Sequence, residues 1–307
     1  MHKPWTAELE TNPDRARALI EQQFPVLAPA DVKLHGVGWD NYAFLVNNKY
    51  IFRFPRRKFA APLIDIEASV LPAIARNLSV PIPAPEFVGT MPEPETWTFA
   101  GYARLPGVTA CSVRLTDAER AACAIPLAQF LYQLHALDGS RLSAMGAPQD
   151  TIGRLEFPRR LDRAYSDLAK LHEMNFLGAI SALVSILDAA PRDFQPKMDT
   201  LVHGDLYSRH LLVDESHKLS GVIDWGDLHL GDAAIDLSIA HIFLPPQAHA
   251  DFRSAYGNIN RLTWEVARLR AIWHTAYVAL YALDIGDEDL IFESRMAFDY
   301  IVDGSIG

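Results

Sequence analysis

The amino-acid sequence predicts an α+β fold with a small lobe built on an antiparallel sheet, followed by a larger, mostly helical lobe. Three observations lead to this prediction: strand-like runs are frequent in residues 1–105, helix-period apolar stripes dominate residues 106–307, and two short strands interrupt those helices near residue 215. A chain of 307 residues is long enough for two such units. We therefore predict an N-terminal domain over 1–105 and a C-terminal domain over 106–307.

The first lobe begins with an apolar pattern that predicts a helix over 12–24. Three strand-like runs follow, over 32–36, 42–46 and 50–54. The pair Asn47-Asn48 separates the last two runs, and asparagine tolerates the positive φ angles of a tight hairpin turn. These runs therefore predict an antiparallel sheet.

The same lobe continues with apolar residues at steps of three and four, which predict a helix over 63–78. Glu67 lies on or beside its buried stripe. The proline-rich segment 80–85 cannot be helical and should run extended into a strand over 86–89. A last strand is predicted over 97–105, ended by a Pro-Gly pair.

The second lobe begins at a capping-box pattern, Thr116 to Glu119, that predicts a helix running to Leu137, disturbed at Pro126. The remaining predicted elements are one or two helices over 157–187, short strands over 211–213 and 221–224, and mostly helix over 233–301. Such a succession of a sheet-rich lobe, a helical lobe and a late hairpin is typical of a protein-kinase-like fold.

Composition excludes several function classes. The formal net charge of −10 argues against a nucleic-acid partner. An acidic surface would instead attract cationic ligands, although many proteins are acidic without having a cationic partner. No apolar run is long enough to span a membrane, and residues 1–10 carry no apolar signal core. The two cysteines form no CxxC pattern, so we expect a cytoplasmic location without disulfides or a cysteine-rich zinc site.

The residues that indicate chemistry are Asp205, His210 and Asp224. Asp205 follows an apolar strand in a glycine-containing loop, His210 comes five residues later where the next strand begins, and Asp224 ends the paired strand. Phosphoryl transfer needs such a set, because one carboxylate orients the acceptor hydroxyl while other ligands hold Mg²⁺ on the phosphates. The alternative is that these residues have no catalytic role and are the cap and turn residues of an ordinary loop.

The segments HGDLYSRH, starting at His203, and GVIDWGD, starting at Gly221, resemble the catalytic and metal-binding motifs of the aminoglycoside phosphotransferase family. The resemblance implies a protein-kinase-like fold that transfers the γ-phosphate of ATP or GTP to a hydroxyl, with Asp205 as catalytic base and His210 and Asp224 as Mg²⁺ ligands. Most of the family has Asn at the place of His210, but the aminoglycoside 2''-phosphotransferases and macrolide phosphotransferases are similar in having His. Asp232 and Asp236 match a second family motif, interpreted as structural support.

The first lobe also resembles the 2''-phosphotransferases, which place a phosphate-binding Lys where Arg53 stands. By this resemblance Glu67 would form an ion pair with Arg53, and the bound nucleotide would lie between the lobes. The backbones of Ala103 and Leu105 would bind the purine, with Tyr102 at the back of the base pocket. GTP is expected as well as ATP, since that subfamily uses it.

The resemblance favours a cationic aminoglycoside antibiotic as the acceptor, which the acidic charge supports; a macrolide is the second alternative, and a metabolite such as a sugar or amino alcohol is the third. A non-catalytic, kinase-like binding protein is the alternative from another class, motivated by Arg53 and His210. In the last third of the chain, aromatic and acidic residues predict either core or an acidic, aromatic-walled pocket. They are Trp264, Trp273, Tyr277, Tyr281, Asp284, Asp287, Glu288 and Asp289. His135 is interpreted as structural, and the protein as a monomer or dimer without nucleic-acid or membrane partners.

Overall fold

The computed structural model describes residues 7–304, which fall into two compact units. The first, here called the sheet unit, contains residues 7–76, Pro81–Leu105 and Asp224–Asp227. The second, here called the helical unit, contains Asn77–Val80, Pro106–Ile223 and residues 228–304. The prediction that residues 1–10 lack a signal core falls largely outside the described residues.

The sheet unit is built on five antiparallel strands in the order β1-β2-β3-β5-β4. The strands are β1 (Val32–Val37), β2 (Asn41–Val46), β3 (Tyr50–Pro55), β4 (Pro85–Thr90) and β5 (Thr98–Ala103), with helices α1 (Pro13–Gln23) and α2 (Ala61–Ile74). All of these elements lie within a few residues of their predicted positions, because each has a clear apolar period and polar or proline boundaries.

Local chemistry explains where these elements begin and turn. The Asn12 side chain accepts a hydrogen bond from the Arg15 amide at 2.8 Å and caps α1. Asn47 and Asn48 have φ angles of 52° and 54°, as the predicted hairpin requires. Helix α2 ends at Ile74 in a 3₁₀ turn, Ala75–Asn77, so the predicted end at residue 78 was slightly late.

The helical unit contains nine α-helices and five short strands within the described residues. The helices are α3 (Asp117–Ala122), α4 (Ala124–His135), α5 (Gly139–Ala144), α6 (Phe157–Glu173), α7 (Ser181–Asp188), α8 (Ala234–Phe243), α9 (His249–Tyr256), α10 (Arg261–Ile285) and α11 (Glu288–Asp303). The strands are β6 (Val108–Thr109), β7 (Thr200–Val202), β8 (Leu211–Val213), β9 (Leu219–Val222) and β10 (His229–Gly231).

The predicted capping box is present, since Thr116 accepts a hydrogen bond from the Glu119 amide and the Glu119 carboxylate accepts one from the Thr116 amide. The disturbance predicted at Pro126 was misplaced. The helix is interrupted at Cys123, between α3 and α4, and Pro126 is the third residue of α4. An amide in the first helical turn has no intrahelical acceptor, so a proline is tolerated there.

The late hairpin pairs β8 with β9, and β7 pairs with β10 in a separate two-stranded sheet. The strand predicted over 221–224 in fact ends at Val222, so Asp224 does not end a strand. Asp224 has a φ angle of 63°, a left-handed conformation that cannot continue a ladder. Strands β6, β7 and β10 have at most three residues, too few for a recognisable alternation.

The long helix α10 packs against α6, α8 and α11 and forms the centre of the helical unit. Most of its side chains are buried, on all sides over residues 266–276. Within residues 7–304, none of the helices is both long and apolar enough to cross a membrane. The position of α10 matters for the site, because it brings side chains from late in the chain to the loop after β7.

Candidate active site

The loop that carries Asp205 is fixed by one buried carboxylate. The two oxygens of Asp236, in the first turn of α8, accept hydrogen bonds from the amides of His203 at 2.7 Å and Gly204 at 2.9 Å. Gly204 has a φ angle of 88°, which favours glycine at this sharp turn. Asp236 therefore holds the loop directly before Asp205.

Asp236 is fully buried, and its charge is balanced locally. Burial acts to raise the pKa of Asp236, but the His135 ring and the loop amides outweigh it and lower that pKa. His135 Nε2 lies 3.3 Å from Asp236, and its Nδ1 lies 2.8 Å from the Tyr256 hydroxyl. These contacts fit the structural interpretation of His135.

Asp236→Asn is expected to lower the free energy of unfolding by about 1–3 kcal/mol, because an amide nitrogen cannot accept the second loop N–H. The measurement is urea unfolding of this variant beside Asp251→Asn, which changes an exposed carboxylate on α9. Equal stability of both variants would contradict a loop-holding role for Asp236.

Asp205 is held by a histidine from far along the chain. Its Oδ1 lies 2.8 Å from Nε2 of His274, on α10, and its side chain keeps 33% of its surface exposed. Burial acts to lower the pKa of His274 and, with the charge of Arg270, sets it at about 4, so the ring is neutral at pH 7. Nε2–H therefore donates to the Asp205 carboxylate.

The charge state of Asp205 suits a catalytic base. Burial acts to raise the pKa of Asp205, but the hydrogen bond from His274 and the positive charge of Arg270 outweigh it and hold that pKa well below the usual range. The carboxylate is therefore ionised at neutral pH, with an exposed part that an acceptor hydroxyl can approach.

His274→Ala should raise the pKa of Asp205, because burial then acts without the opposing hydrogen bond. A base is active only when ionised, so the fall of kcat on the acidic side should begin at a higher pH than in wild type, although the charge of Arg270 still acts on Asp205. The measurement is kcat against pH, with His274→Gln as a control that keeps a donor. Superimposable profiles for His274→Ala and wild type would show that His274 does not set the ionisation.

His210 lies at the end of a 3₁₀ turn, Ser208–His210, just before β8. Its Nδ1 lies 2.6 Å from the backbone carbonyl of Asp205, so Nδ1–H is the donor and Nε2 carries the lone pair. Histidines that bind metals are commonly oriented by such a carbonyl. The tautomer of His210 thus fits its predicted role as a metal ligand.

In the sheet unit, Arg53 is the centre of an ion-pair network. Its Nη1 donates to both oxygens of Glu67 at 2.8 Å, and its Nη2 donates to Asp224 Oδ1 at 3.0 Å. The Tyr102 hydroxyl donates to Glu67 Oε2 at 2.9 Å. The predicted contact of Arg53 with Glu67 is therefore present, whereas sequence reasoning did not foresee the contacts with Asp224 and Tyr102.

Burial acts to lower the pKa of Arg53, but the charges of Glu67 and Asp224 outweigh it and raise that pKa, so the guanidinium remains a cation. The Glu67 side chain is 0% exposed and that of Asp224 is 50% exposed. Glu67 is thus a fixed internal partner, and Asp224 is the member of the network that a ligand can reach.

The predicted Mg²⁺ ligands are the imidazole of His210, in the helical unit, and the carboxylate of Asp224, in the sheet unit. Among residues 7–304 no group of three or more His, Cys, Asp or Glu side chains is gathered as a complete metal cage. Mg²⁺ characteristically keeps several waters and phosphate oxygens and takes only one or two protein ligands. Two predicted protein ligands therefore match the number that Mg²⁺ takes when it arrives with a nucleotide.

Ala103 ends β5, and Leu105 follows two residues later. The Arg104 amide donates to the Lys49 carbonyl at 2.8 Å, so the backbone groups of Ala103 face away from β3, whereas Leu105 lies beyond the end of the strand. This orientation is compatible with the purine contact predicted for Ala103. Tyr102, by contrast, directs its hydroxyl to Glu67.

The acidic pocket was one of two alternatives for the last third of the chain, and ion pairs neutralise two of its acidic residues. Asp287 accepts a hydrogen bond from Arg209, and Asp289 lies 3.5 Å from Arg114. Trp264 and Trp273 are buried as predicted for core, but Tyr277 is 43% exposed, so the core prediction was wrong for it. Tyr277 lies past the part of α10 that is buried on all sides.

Sequence reasoning missed His274 and Arg270, the two α10 residues that act on Asp205. Residues four apart lie on the same face of a helix, so both face the same surroundings. The one available signal is that three basic residues, Arg268, Arg270 and His274, interrupt a mostly apolar buried stretch, which for Arg is rare without a partner or a function. Nothing in that signal connects them to a loop more than sixty residues earlier.

Comparison with known proteins places this geometry in a family. Residues 31–272 match the model of the Phosphotransferase enzyme family, APH. The structure of the GDP and kanamycin complex of APH(2")-IIIa is similar, with 22% identity, a TM-score of 0.68, and coverage of 94% of this chain and 98% of that one. Macrolide 2'-phosphotransferase MphH from Brachybacterium faecium has 21% identity and a TM-score of 0.60, covering 92% and 97%.

A further relative is the Bacillus subtilis protein YcbJ, 22% identical over 232 residues, which are 70% of each chain. At such identities the solved structures establish the fold, which is protein-kinase-like as predicted. The family match extends over far more than half of the chain and includes the Asp205 loop, His210, Asp224 and α10 as far as residue 272. This protein belongs to the Phosphotransferase enzyme family.

Proposed function

We propose that this protein transfers the γ-phosphate of ATP or GTP, with Mg²⁺, to a hydroxyl of a small molecule. Asp205 acts as the base that orients the acceptor hydroxyl and takes its proton. His210 and Asp224 hold the metal, which neutralises phosphate charge when bound. Arg53, fixed by Glu67, contacts the phosphates, and the backbones of Ala103 and Leu105 contact the purine beside Tyr102.

The observation that carries the proposal is the ionised, partly exposed carboxylate of Asp205 on a loop fixed by Asp236. A carboxylate that is kept ionised and partly exposed in this way is what a catalytic base requires. Reliance on ATP or GTP also supports the cytoplasmic location predicted from the sequence.

Three classes of acceptor are candidates for this reaction. Similar folds belong to enzymes named for aminoglycosides and macrolides, which supports testing both, and metabolite alcohols are the third class. The acidic wall that would have favoured a cationic acceptor is partly neutralised by Arg209 and Arg114.

The test is phosphate transfer from Mg·ATP and from Mg·GTP, measured as nucleoside diphosphate release and as phosphorylated product by mass spectrometry. Acceptors should include kanamycin, erythromycin and small alcohols of neutral, cationic and anionic character. Transfer that requires Mg²⁺ supports the proposal. Nucleotide binding without transfer to any acceptor would favour the non-catalytic alternative, and absence of nucleotide binding would refute the proposal.

A further inference from the structure

One buried arginine next to Asp205 lacks the partners that other buried arginines have. Arg120 donates to Glu293, Arg154 donates to Asp150 at 2.8 Å, and Arg268 donates to the Ile301 carbonyl at 2.9 and 2.6 Å. Arg270 is equally buried, at 6% exposure, but its Nε and Nη1 have no hydrogen-bond partner among residues 7–304. A buried guanidinium whose N–H groups lack acceptors costs free energy, so we expect Arg270 to bind an anionic ligand.

The position of Arg270 identifies where that ligand would lie. Arg270 is one helical turn before His274, whose Nε2 is 2.8 Å from Asp205. Its charge is close enough to lower the pKa of Asp205, and the pKa of Arg270 itself, lowered first by burial to about 10, leaves it a cation at neutral pH. The unsatisfied donors are therefore beside the base.

Neighbouring arginines add positive charge to the same region. Arg154 donates from Nε to the Gly204 carbonyl at 3.2 Å, directly before Asp205, and Arg160 donates to the Gly153 carbonyl at 2.8 Å. Both charges act to lower the pKa of Arg270. The hydrogen bonds that the Arg160 guanidinium makes within the described residues go to the backbone carbonyls of Gly153 and Ile152, not to a carboxylate. Arg270 thus lies in a region to which Arg160 adds positive charge, while the charge of Arg154 is paired with Asp150.

We propose that Arg270 binds an anionic group of the acceptor, so that the natural substrate is an alcohol carrying a carboxylate or phosphate close to the hydroxyl that is phosphorylated. This inference rests on the proposed function and names its substrate class. A guanidinium suits such an anion because it presents several N–H donors in a fixed planar fork. The alternative source of an anion at this place is the γ-phosphate of the nucleotide itself.

The experiment measures binding of D-glycerate and of inorganic phosphate by calorimetry to the protein alone, to its Mg·ADP complex and to its Mg·AMP-PNP complex. Glycerol and 3-aminopropane-1,2-diol are the neutral and cationic counterparts of D-glycerate. The variants are Arg270→Gln and, as a matched control, Arg268→Gln, which removes a buried arginine two residues earlier on α10 whose Nε and Nη2 donate to carbonyls.

We expect both anions to bind the Mg·AMP-PNP complex, and Arg270→Gln to weaken them by about ten- to a hundredfold. Arg268→Gln should leave their affinity within about threefold, even though it destabilises the fold. Arg270→Gln should unfold at the same temperature as wild type or higher, because it removes an unpartnered buried charge. This difference separates a binding role from a structural one.

Three results would overturn the inference: no anion binding to wild type, equal affinity in Arg270→Gln, or tighter binding of the amino diol than of glycerate. Anion binding to the Mg·ADP complex but not to the Mg·AMP-PNP complex would assign Arg270 to the γ-phosphate instead. Failure of the proposed function appears separately, as absence of Mg·AMP-PNP binding, and the measurements on the protein alone still decide whether Arg270 binds anions.

Discussion

Replacing Asp205 with asparagine is expected to lower kcat for phosphate transfer by about 10²- to 10⁴-fold, the usual contribution of a general base. The physical reason is that an amide cannot take the proton of the acceptor hydroxyl. The fold should be unaffected, because the amide oxygen of asparagine can still accept the hydrogen bond from His274 Nε2. Nucleotide affinity should stay within about threefold, since Asp205 is proposed to act on the acceptor.

The measurement for Asp205→Asn is single-turnover transfer from Mg·ATP together with nucleotide binding by calorimetry. Asp193→Asn, which changes an exposed carboxylate of the same unit, is the matched control and should behave as wild type. Unchanged turnover in Asp205→Asn would refute the assignment of the base. A parallel loss of nucleotide affinity would instead indicate that Asp205 acts mainly through the metal.

The parts of the site that could be predicted from sequence are those carried by short, contiguous segments. Asp205 and His210 are five residues apart, and the contact of His210 Nδ1 with the Asp205 carbonyl follows from that local turn. The elements of the sheet unit were predictable for the same reason, since their apolar periods and the asparagine hairpin act over a few residues.

The parts that could not be predicted depend on packing between distant segments. His274 contacts Asp205 across 69 residues, and Arg53 contacts Asp224 across 171 residues. No spacing rule connects such pairs, because their approach is set by how α10 packs in the helical unit and by where the chain runs after β9. Asp224 was also given the wrong local structure, since its positive φ is not expected for an aspartate after a β-branched run.

Replacing Glu67 with alanine is expected to lower the free energy of unfolding by about 3–5 kcal/mol, the range seen when one partner of a buried ion pair is removed. Glu67 is 0% exposed and holds Arg53 Nη1 with both oxygens, while the Arg53 side chain is only 16% exposed. Alanine would also leave the Tyr102 hydroxyl without its acceptor. Arg53 would then retain only the more exposed Asp224, and Mg·ATP affinity should fall because the guanidinium loses its fixed position.

A double-mutant cycle separates the pair from its desolvation cost. Glu67→Met combined with Arg53→Met should cost far less stability than either single change to Met, within about 2 kcal/mol of wild type, because no buried charge is left unpaired and Asp224, which also loses Arg53, is half exposed. Glu67→Gln, which keeps the size of the side chain, should fall in between. The measurement is urea unfolding with nucleotide binding in parallel. If Glu67→Ala were as stable as wild type, the pair would not be what holds Arg53 in place, and the proposed phosphate contact would lose its structural basis.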